Sequence, residues 1–365
     1  MQTILLTVLI VSAVSGVLAL ILTFADKYIA DYGDVQVVIN NGEPMTVEGG
    51  KTLLSTLMAQ KIFIPSACGG KGSCGYCKVT INEGGGPVIA TELPWLTKEE
   101  VENNVRLSCQ VKVKQDINIE IPEELFNVKE YDAIVEKITP VTETIRRVRF
   151  KLPDNEIMKF KPGQYIQIKA PIYDGNDEEV FRAYSIASSA GDEGYVELFI
   201  GFTGGIATTY VHKFLNEGDV VNLNGPYGDF HYNEDDGGPM LMVAAGTGMA
   251  PIISILHYMR DNNIQRKARF FFGAKTPDDL FIVDELEQFE KDLYDFKFMP
   301  TLSRVTDEMG WTGDTGRVNN SIEKYVEKGG NYTAYLCGSP RMIDSIVESL
   351  KEKDIPEENI YFDKF

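Results

Sequence analysis

Cys68-Gly69-Gly70-Lys71-Gly72-Ser73-Cys74-Gly75-Tyr76-Cys77, answered by Cys109, decides how this chain is read. Four of its five cysteines stand in the spacing C-x5-C-x2-C-x31-C. Three thiolates on a glycine-rich loop and a fourth on a returning segment form the ligand pattern of a [2Fe–2S] cluster, with Cys68, Cys74, Cys77 and Cys109 as the ligands. Glycines suit such a loop. They accept positive φ and let the backbone approach closely, so that its N–H groups face the sulfurs. Two disulfides would suit a small secreted domain rather than a chain of 365 residues. A four-cysteine zinc site usually shows two C-x2-C knuckles, and only Cys74 and Cys77 form one.

The segments around the loop read as a small mixed sheet crossed by a helix. Val35–Ile39 alternates like a strand, Asn40-Asn41-Gly42 is a turn, and Met45–Val47 returns. Thr52–Gln60 has helical apolar spacing, and Lys78–Ile81 is a strand leaving the loop. This order, with Gly84-Gly85-Gly86, Thr91-Glu92-Leu93 and Arg106–Val111, resembles the adrenodoxin/plant-type ferredoxins. The resemblance implies a β-grasp [2Fe–2S] domain over residues 34–121. An acidic stretch with a proline, residues 122–130, reads as a linker.

Upstream, residues 1–25 carry no charge. A helix of that length reaches about 37 Å, enough to cross a hydrocarbon core of about 30 Å. It lacks the basic start and short apolar run of a signal peptide. The expectation is a single transmembrane anchor, with the body of the chain on the cytoplasmic side of the inner (cell) membrane. Lys27 after the span tilts weakly that way.

Downstream, residues 131–232 are dense in strands (132–139, 144–152, 164–170, 183–187, 195–200 and 219–223) with turn signals between them. This pattern predicts a small antiparallel barrel. Arg182-Ala183-Tyr184-Ser185 and Gly204-Gly205-Ile206-Ala207-Thr208-Thr209 lie on it. The second reads as a helix start with small residues, which is an anion site, although glycines before threonines often simply begin a helix. In this order the two stretches resemble the flavin domain of the ferredoxin–NADP reductase superfamily. That likeness implies FAD, with Arg182 on its phosphates, Ala183 and Tyr184 along the isoalloxazine and Ser185 near N5. It places Gly205, Thr208 and Thr209 at the pyrophosphate.

Residues 237–365 change texture. Met240–Ala245 is a continuous apolar run, as in a buried parallel strand. Gly246-Thr247-Gly248-Met249-Ala250-Pro251 follows, then a helix over 252–260. Strand, glycine turn and helix cradle a dinucleotide pyrophosphate, although Ala250-Pro251 replaces the third glycine. Further elements are predicted at 269–273 (strand), 279–291 (helix), 296–302 (strand) and 332–336 (strand). The superfamily likeness assigns this part to NAD(P)H binding by a Rossmann-like α/β domain. It places Cys337 and Gly338 at the nicotinamide and Phe365 over the flavin, giving Ser185, Cys337 and Phe365 as the residues of hydride transfer. The alternative for Cys337 is a small buried side chain, although its place at a carboxyl strand end is where such folds bind ligand. Ser303-Arg304 could meet a 2′-phosphate, as a Ser-Arg pair does in plant-type reductases, but the family likeness favours NADH over NADPH.

Net charge is −19, with 35 Lys+Arg against 54 Asp+Glu. That argues against nucleic acid as a partner, since phosphate backbones need a basic stripe. His212, His231 and His257 are scattered, which disfavours a histidine metal site. A nicotinamide delivers two electrons together and an iron–sulfur cluster takes one at a time, so a flavin must stand between them.

The order of anchor, ferredoxin, flavin domain and nucleotide domain resembles the family of F subunits of Na+-translocating NADH:quinone oxidoreductases along the whole chain. Ser66–Gly70, Glu83–Gly86, Thr91–Leu93, Ile121–Glu124, Arg182–Ser185 and Gly248–Pro251 carry that likeness. It implies a path from NADH through FAD and the cluster to a membrane acceptor, with other membrane subunits as partners and quinone and sodium transport as the setting. One departure is the short acidic loop between Pro171 and Phe181, where that family carries a longer insertion. The competing readings are a reductase component for a di-iron or Rieske oxygenase, and a relay module with no catalysis of its own.

Overall fold

The computed structural model describes residues 9–19, 32–66, 68–122, 125–126 and 128–365. The chain divides into two compact units, Met1–Asn127 and Val128–Phe365.

In the first unit, residues 9–19 are helical (α1). No helix among the described residues is long and apolar enough to cross a membrane. The rest of the expected anchor, 1–8 and 20–25, lies outside the described residues, as do Ala67, Glu123 and Glu124. A five-stranded mixed sheet follows: β1 (Asp34–Ile39), β2 (Met45–Glu48), β3 (Lys78–Glu83), β4 (Val105–Leu107) and β5 (Ile117–Glu120), in the order β2-β1-β5-β3-β4. Only β1 and β5 run parallel. The predicted turn after β1 has Asn40 and Asn41 both at positive φ, the backbone of a tight hairpin. Helix α2 (Leu53–Ala59) is capped by Thr52, whose Oγ1 accepts the Ser55 N–H at 3.2 Å. Its Leu53, Leu54 and Leu57 join Val37, Val79 and Ile119 in the core. Short helix α3 (Lys98–Glu102) starts on a Thr97/Glu100 capping box.

The second unit begins with six antiparallel strands: β6 (Lys129–Pro140), β7 (Ile145–Lys151), β8 (Tyr165–Ala170), β9 (Val180–Ser185), β10 (Tyr195–Gly201) and β11 (Val220–Tyr227). Their order is β10-β7-β6-β11-β8-β9, and an Ile186–Leu198 bridge brings the end of β9 to β10 and closes a barrel. Phe150, Ile166, Ile168, Leu198 and Leu223 fill it. Helix α4 (Ile206–Lys213) packs against β8, β9 and β10.

A six-stranded parallel sheet follows, in the order β15-β14-β13-β12-β16-β17. Its strands are β12 (Met240–Ala245), β13 (Lys267–Ala274), β14 (Asp295–Leu302), β15 (Asp314–Thr315), β16 (Thr333–Gly338) and β17 (Ile360–Lys364). Helices α5 (Met249–Asp261), α6 (Val283–Asp292), α7 (Val318–Tyr325) and α8 (Pro340–Glu352) connect them. Strand order reverses between β12 and β16, and such a switch point is where open α/β sheets bind ligands. The helix expected over 279–291 starts late. Pro277–Asp279 forms a single 3-10 turn, and Ile282, at φ +50°, breaks the chain before α6. The final aromatic segment is the edge strand β17, paired in parallel with β16.

Barrel and parallel sheet share one core, in which Ile145, Ala187 and Phe199 of the barrel pack with Met242, Ile252 and Phe281. Arg147 of β7 bonds Glu285 of α6 at 2.8 Å, and His257 of α5 reaches the same carboxylate at 3.3 Å. The Ser254 hydroxyl donates to the Ser188 carbonyl at 2.9 Å.

Candidate functional site

The cysteine loop has the predicted backbone. Gly69, Gly70, Gly72 and Gly75 all have positive φ. At Gly72 and Gly75 there is also no room: an added Cβ would lie 2.6 Å from Gln110 Nε2 and 3.0 Å from the Trp95 ring. The four thiols gather as two pairs. Cys74 Sγ lies 3.4 Å from Cys68 Sγ, and Cys77 bonds Cys109. The loop's amides serve the same sulfurs: Lys71 and Ser73 on Cys68, Tyr76 on Cys74, Gly72 on Cys109. Donation from Cys74 holds Cys68 well below the usual thiol range in spite of burial, and Cys77 does the same for Cys109, while the donors Cys74 and Cys77 are pushed up by those same bonds and by burial. Thiolate is the form that ligates metal.

The pairing discriminates between kinds of metal centre. One ion needs three or four ligands around one point. Two pairs fit a binuclear cluster, in which each iron takes two protein thiolates.

A buried ion pair holds the segment beside the loop. Glu92 is fully buried. It accepts the Arg106 guanidinium at 2.6 and 2.9 Å and the Ile89 and Leu107 amides at 3.0 Å. Arg106 also donates to the Gly85 and Gly86 carbonyls. Burial pushes the Glu92 carboxyl up, but Arg106 and the amides outweigh it and leave it below its ordinary value. This clamp carries Leu93–Trp95 onto the Gly75 backbone.

On the barrel, the predicted flavin residues lie on β9. Phe181–Ser185 are all half-buried, so neither face of this stretch is fully covered by protein. Arg182 bonds only its neighbour's carbonyl, Phe181 O, at 2.7 Å and has no carboxylate partner among the described residues. Burial pushes the Tyr184 hydroxyl pKa up. Helix α4 starts at Gly205 with no side-chain cap, and Gly204, at φ +79°, has open space where a Cβ would stand. An uncapped helix start on a barrel whose β9 carries an arginine without a carboxylate partner fits a bound pyrophosphate. Thr208 turns inward: its hydroxyl donates to Gly205 O at 3.1 Å and accepts the Thr203 amide. Thr209, half-buried, is the freer of the two threonines.

In the parallel sheet, Gly246–Gly248 forms a tight turn at the end of β12. A Cβ on Gly248 would lie 2.4 Å from the Cys337 carbonyl oxygen, and one on barrel residue Gly201 would meet Thr247 at 3.2 Å. Phe365 N–H donates to Gly338 O at 3.1 Å. The predicted dinucleotide turn Gly246-Thr247-Gly248, the predicted nicotinamide residues Cys337 and Gly338, and Phe365, predicted over the flavin, therefore come together from the ends of β12, β16 and β17. Cys337 is fully buried, and burial raises its thiol well above the ordinary value, so it stays neutral.

A cleft of about 480 Å³ opens beside this turn. Of the residues predicted for cofactors, Gly246 and Ser303 line it. Its cations Lys275, Arg317 and Arg341 escaped the sequence reading. Arg341 did leave a signal, since it stands in the first turn of α8, where the helix dipole disfavours a cation.

A thiol-paired loop, a flavin-type barrel and a dinucleotide-type sheet define an iron–sulfur flavoprotein reductase. Family comparison agrees: residues 38–114 match the 2Fe-2S iron-sulfur cluster binding domain, 132–232 the oxidoreductase FAD-binding domain and 242–348 the oxidoreductase NAD-binding domain. The chain is 34% identical to the F subunit of the Na(+)-translocating NADH-quinone reductase of Idiomarina loihiensis, with 100% of each chain covered. It is 32% identical to the corresponding protein of Neisseria meningitidis, with 99% of each covered. It belongs to the family of Na(+)-translocating NADH-quinone reductase F subunits. Among solved structures it resembles the Amycolatopsis cytochrome P450 reductase GcoB (TM-score 0.73, 26% identity, 91% of this chain and 98% of that one). The ferredoxin reductase in carbazole 1,9a-dioxygenase shares the fold (TM-score 0.70, 24% identity, 91% and 98% covered).

Proposed function

We propose that this chain is the electron-input subunit of a membrane-bound NADH-quinone reductase. Electrons pass from NADH to FAD, to the [2Fe–2S] centre and on to a membrane acceptor held by partner subunits. The two-and-two pairing of the cysteines, in a chain that also carries a flavin barrel and a nucleotide sheet, supports this reading most directly. When bound, the flavin supplies the conversion between paired and single electrons. The chain's own residues do the rest. Arg182 and the start of α4, at Gly205 and Thr209, hold phosphate, while Ala183, Tyr184 and Ser185 line the ring. Gly246, Thr247 and Gly248 admit the dinucleotide. Cys337 and Gly338 position its reactive end, and Phe365 covers the flavin and excludes water, which hydride transfer needs more than it needs an acid or a base. Cys68, Cys74, Cys77 and Cys109 ligate the irons.

The domain limits follow: anchor 1–25, ferredoxin 34–121, linker 122–130, flavin domain 131–232 and nucleotide domain 237–365. The uncharged start of the chain supports a single-pass anchor in the inner membrane with the redox domains in the cytoplasm. Quinone and sodium transport enter through the partner subunits. The test is anaerobic addition of NADH to the purified protein. Flavin absorbance should bleach and the cluster signal should follow; failure of NADH to bleach the flavin overturns the reading. Deleting residues 2–25 should release the protein from washed membranes while NADH still bleaches the flavin, and retention on the membrane removes the anchor from the proposal.

A further inference from the structure

The residues on either side of Cys109 are both polar, and both serve sulfur. Gln110 Nε2 donates to Cys109 Sγ and to the Cys109 carbonyl, each at 3.4 Å. Its other end is fixed, since Gln110 Oε1 accepts the Thr91 hydroxyl at 2.9 Å. The amide also lies on the bare backbone of Gly72, where an added Cβ would come within 2.6 Å of Nε2. Thr91 in turn precedes Glu92, the buried carboxylate that Arg106 holds at 2.6 Å. A hydrogen bond, a glycine and a buried ion pair thus brace this donor against Cys109.

Ser108 is the other flank. It is fully buried; its N–H donates to Cys77 O at 2.8 Å and its carbonyl accepts the Leu54 N–H at 3.1 Å. Its hydroxyl has no hydrogen-bond partner among the described residues. An unpaired buried hydroxyl is costly, and one that persists calls for a reason. The reason here is the Cys77 sulfur, on which the hydroxyl acts. A thiol is a weak acceptor, whereas a charged acceptor makes a much stronger bond. Both flanking donors therefore gain once Cys77 and Cys109 carry charge. The other pair is placed differently. Cys68 and Cys74 are only half-buried, and Ser73, the side chain that serves Cys68, is exposed, so water competes with it.

Reduction of the centre takes one electron from the flavin and leaves one more negative charge on the iron–sulfur unit. Hydrogen bonds to the sulfurs and exclusion of solvent set the potential at which this happens. A donor fixed on a buried sulfur stabilises the added charge and raises that potential.

We propose that Gln110 and Ser108, acting through Cys109 and Cys77, raise the reduction potential of the cluster and so set how far electrons leave the flavin. Both are positioning residues. The proposal rests on the reading of the four cysteines as the cluster ligands. It is tested by anaerobic redox titration of the full-length holoprotein and of Gln110→Leu, Ser108→Ala and Thr91→Val, with the cluster followed by its paramagnetic signal and the flavin by absorbance. Gln110→Leu should lower the cluster's reduction equilibrium constant about tenfold, which is about 59 mV for one electron, and leave the flavin potential where it was. Ser108→Ala should lower it at least threefold. Thr91→Val keeps the donor but frees its amide, and should give a smaller fall in the same direction. A Gln110→Leu constant within twofold of wild type, or an equal shift of the flavin, overturns the proposal. Should Gln110→Leu fail to retain its cluster, the other two variants decide: a fall of at least twofold in both supports the tuning, and wild-type values in both overturn it. Wild-type protein that forms no reduced-cluster signal overturns the ligand reading instead, and this proposal with it.

Discussion

Gly248 and Cys337 meet backbone to backbone: a Cβ on Gly248 would stand 2.4 Å from the Cys337 carbonyl oxygen and 2.8 Å from its carbonyl carbon. The obstacle is main chain on a central strand, so it cannot swing aside as a side chain would. Gly248→Ala should therefore push the β12 turn away from β16, at an overpacking cost of about 1–3 kcal/mol. Gly246→Ala is the contrast. It meets no atom within 4 Å but has φ +56°, so it carries backbone strain alone, about 1 kcal/mol. Urea unfolding of the two variants, with NADH titration, should rank Gly248→Ala as the more damaging in both.

Glu92 and Arg106 are 0% and 4% exposed and satisfy each other with four backbone groups. Removing one partner strands a buried charge, at a cost of about 3–5 kcal/mol. Arg106→Ala should destabilise the ferredoxin unit by that amount and free the Leu93–Trp95 segment from the cysteine loop. The double change Glu92→Leu/Arg106→Met should cost less than either single truncation. Unfolding followed by cluster absorbance, set against unfolding followed by flavin fluorescence, locates the loss in the first unit.

Much of this was legible in the sequence. The strand-like alternation in Val35–Ile39 and the six strand-like runs of 132–223 announced strands. The unbroken apolar run Met240–Ala245 announced a strand covered on both faces. The cysteine spacing singled out Cys68, Cys74, Cys77 and Cys109 as a set, but only the fold shows that they pair as Cys68/Cys74 and Cys77/Cys109. The cleft was legible only at Gly246 and Ser303, because Lys275, Arg317 and Arg341 come from three further strand and helix ends that sheet topology brings together. The break at Ile282 was missed because Thr276-Pro277-Asp278-Asp279 is a sound helix-start signal, realised here as one 3-10 turn. Helices α7 and α8 and the edge strand β17 likewise went unpredicted.

Glu285 makes the barrel–sheet contact pH-sensitive. Burial raises its carboxyl pKa, but the His257 hydrogen bond and the Arg147 charge outweigh burial and bring it from 4.5 to about 2. A depressed folded-state value gives stability that is present above the unfolded value and is lost as pH falls through the folded one. The window is therefore about pH 4.5 down to about 2. At about 1.4 kcal/mol per pH unit the drop is worth roughly 3 kcal/mol. Glu285→Gln should be less stable than wild type at pH 7, and the two should converge at pH 2. A constant gap between the two unfolding curves across that window would remove Glu285 from the contact's energetics.

Cys68→Ser and Cys109→Ser each take one thiolate from a different pair, so they test the binuclear assignment from both ends. Wild-type protein should hold about two irons per chain with matching acid-labile sulfide. A mononuclear centre would hold one metal and no sulfide. Each substitution should remove most of the cluster's visible absorbance, because an iron left with one thiolate is not retained. NADH should still bleach the flavin in both variants, since the second unit, Val128–Phe365, contains neither cysteine. Electrons should then stop there: no reduced-cluster paramagnetic signal should form, and quinone reduction by membranes carrying either variant should fall at least a hundredfold, to about the level of a reductase without its outlet. Quinone reduction that continues at the wild-type rate in either variant would place the exit route on the flavin and take the cysteine loop out of the path.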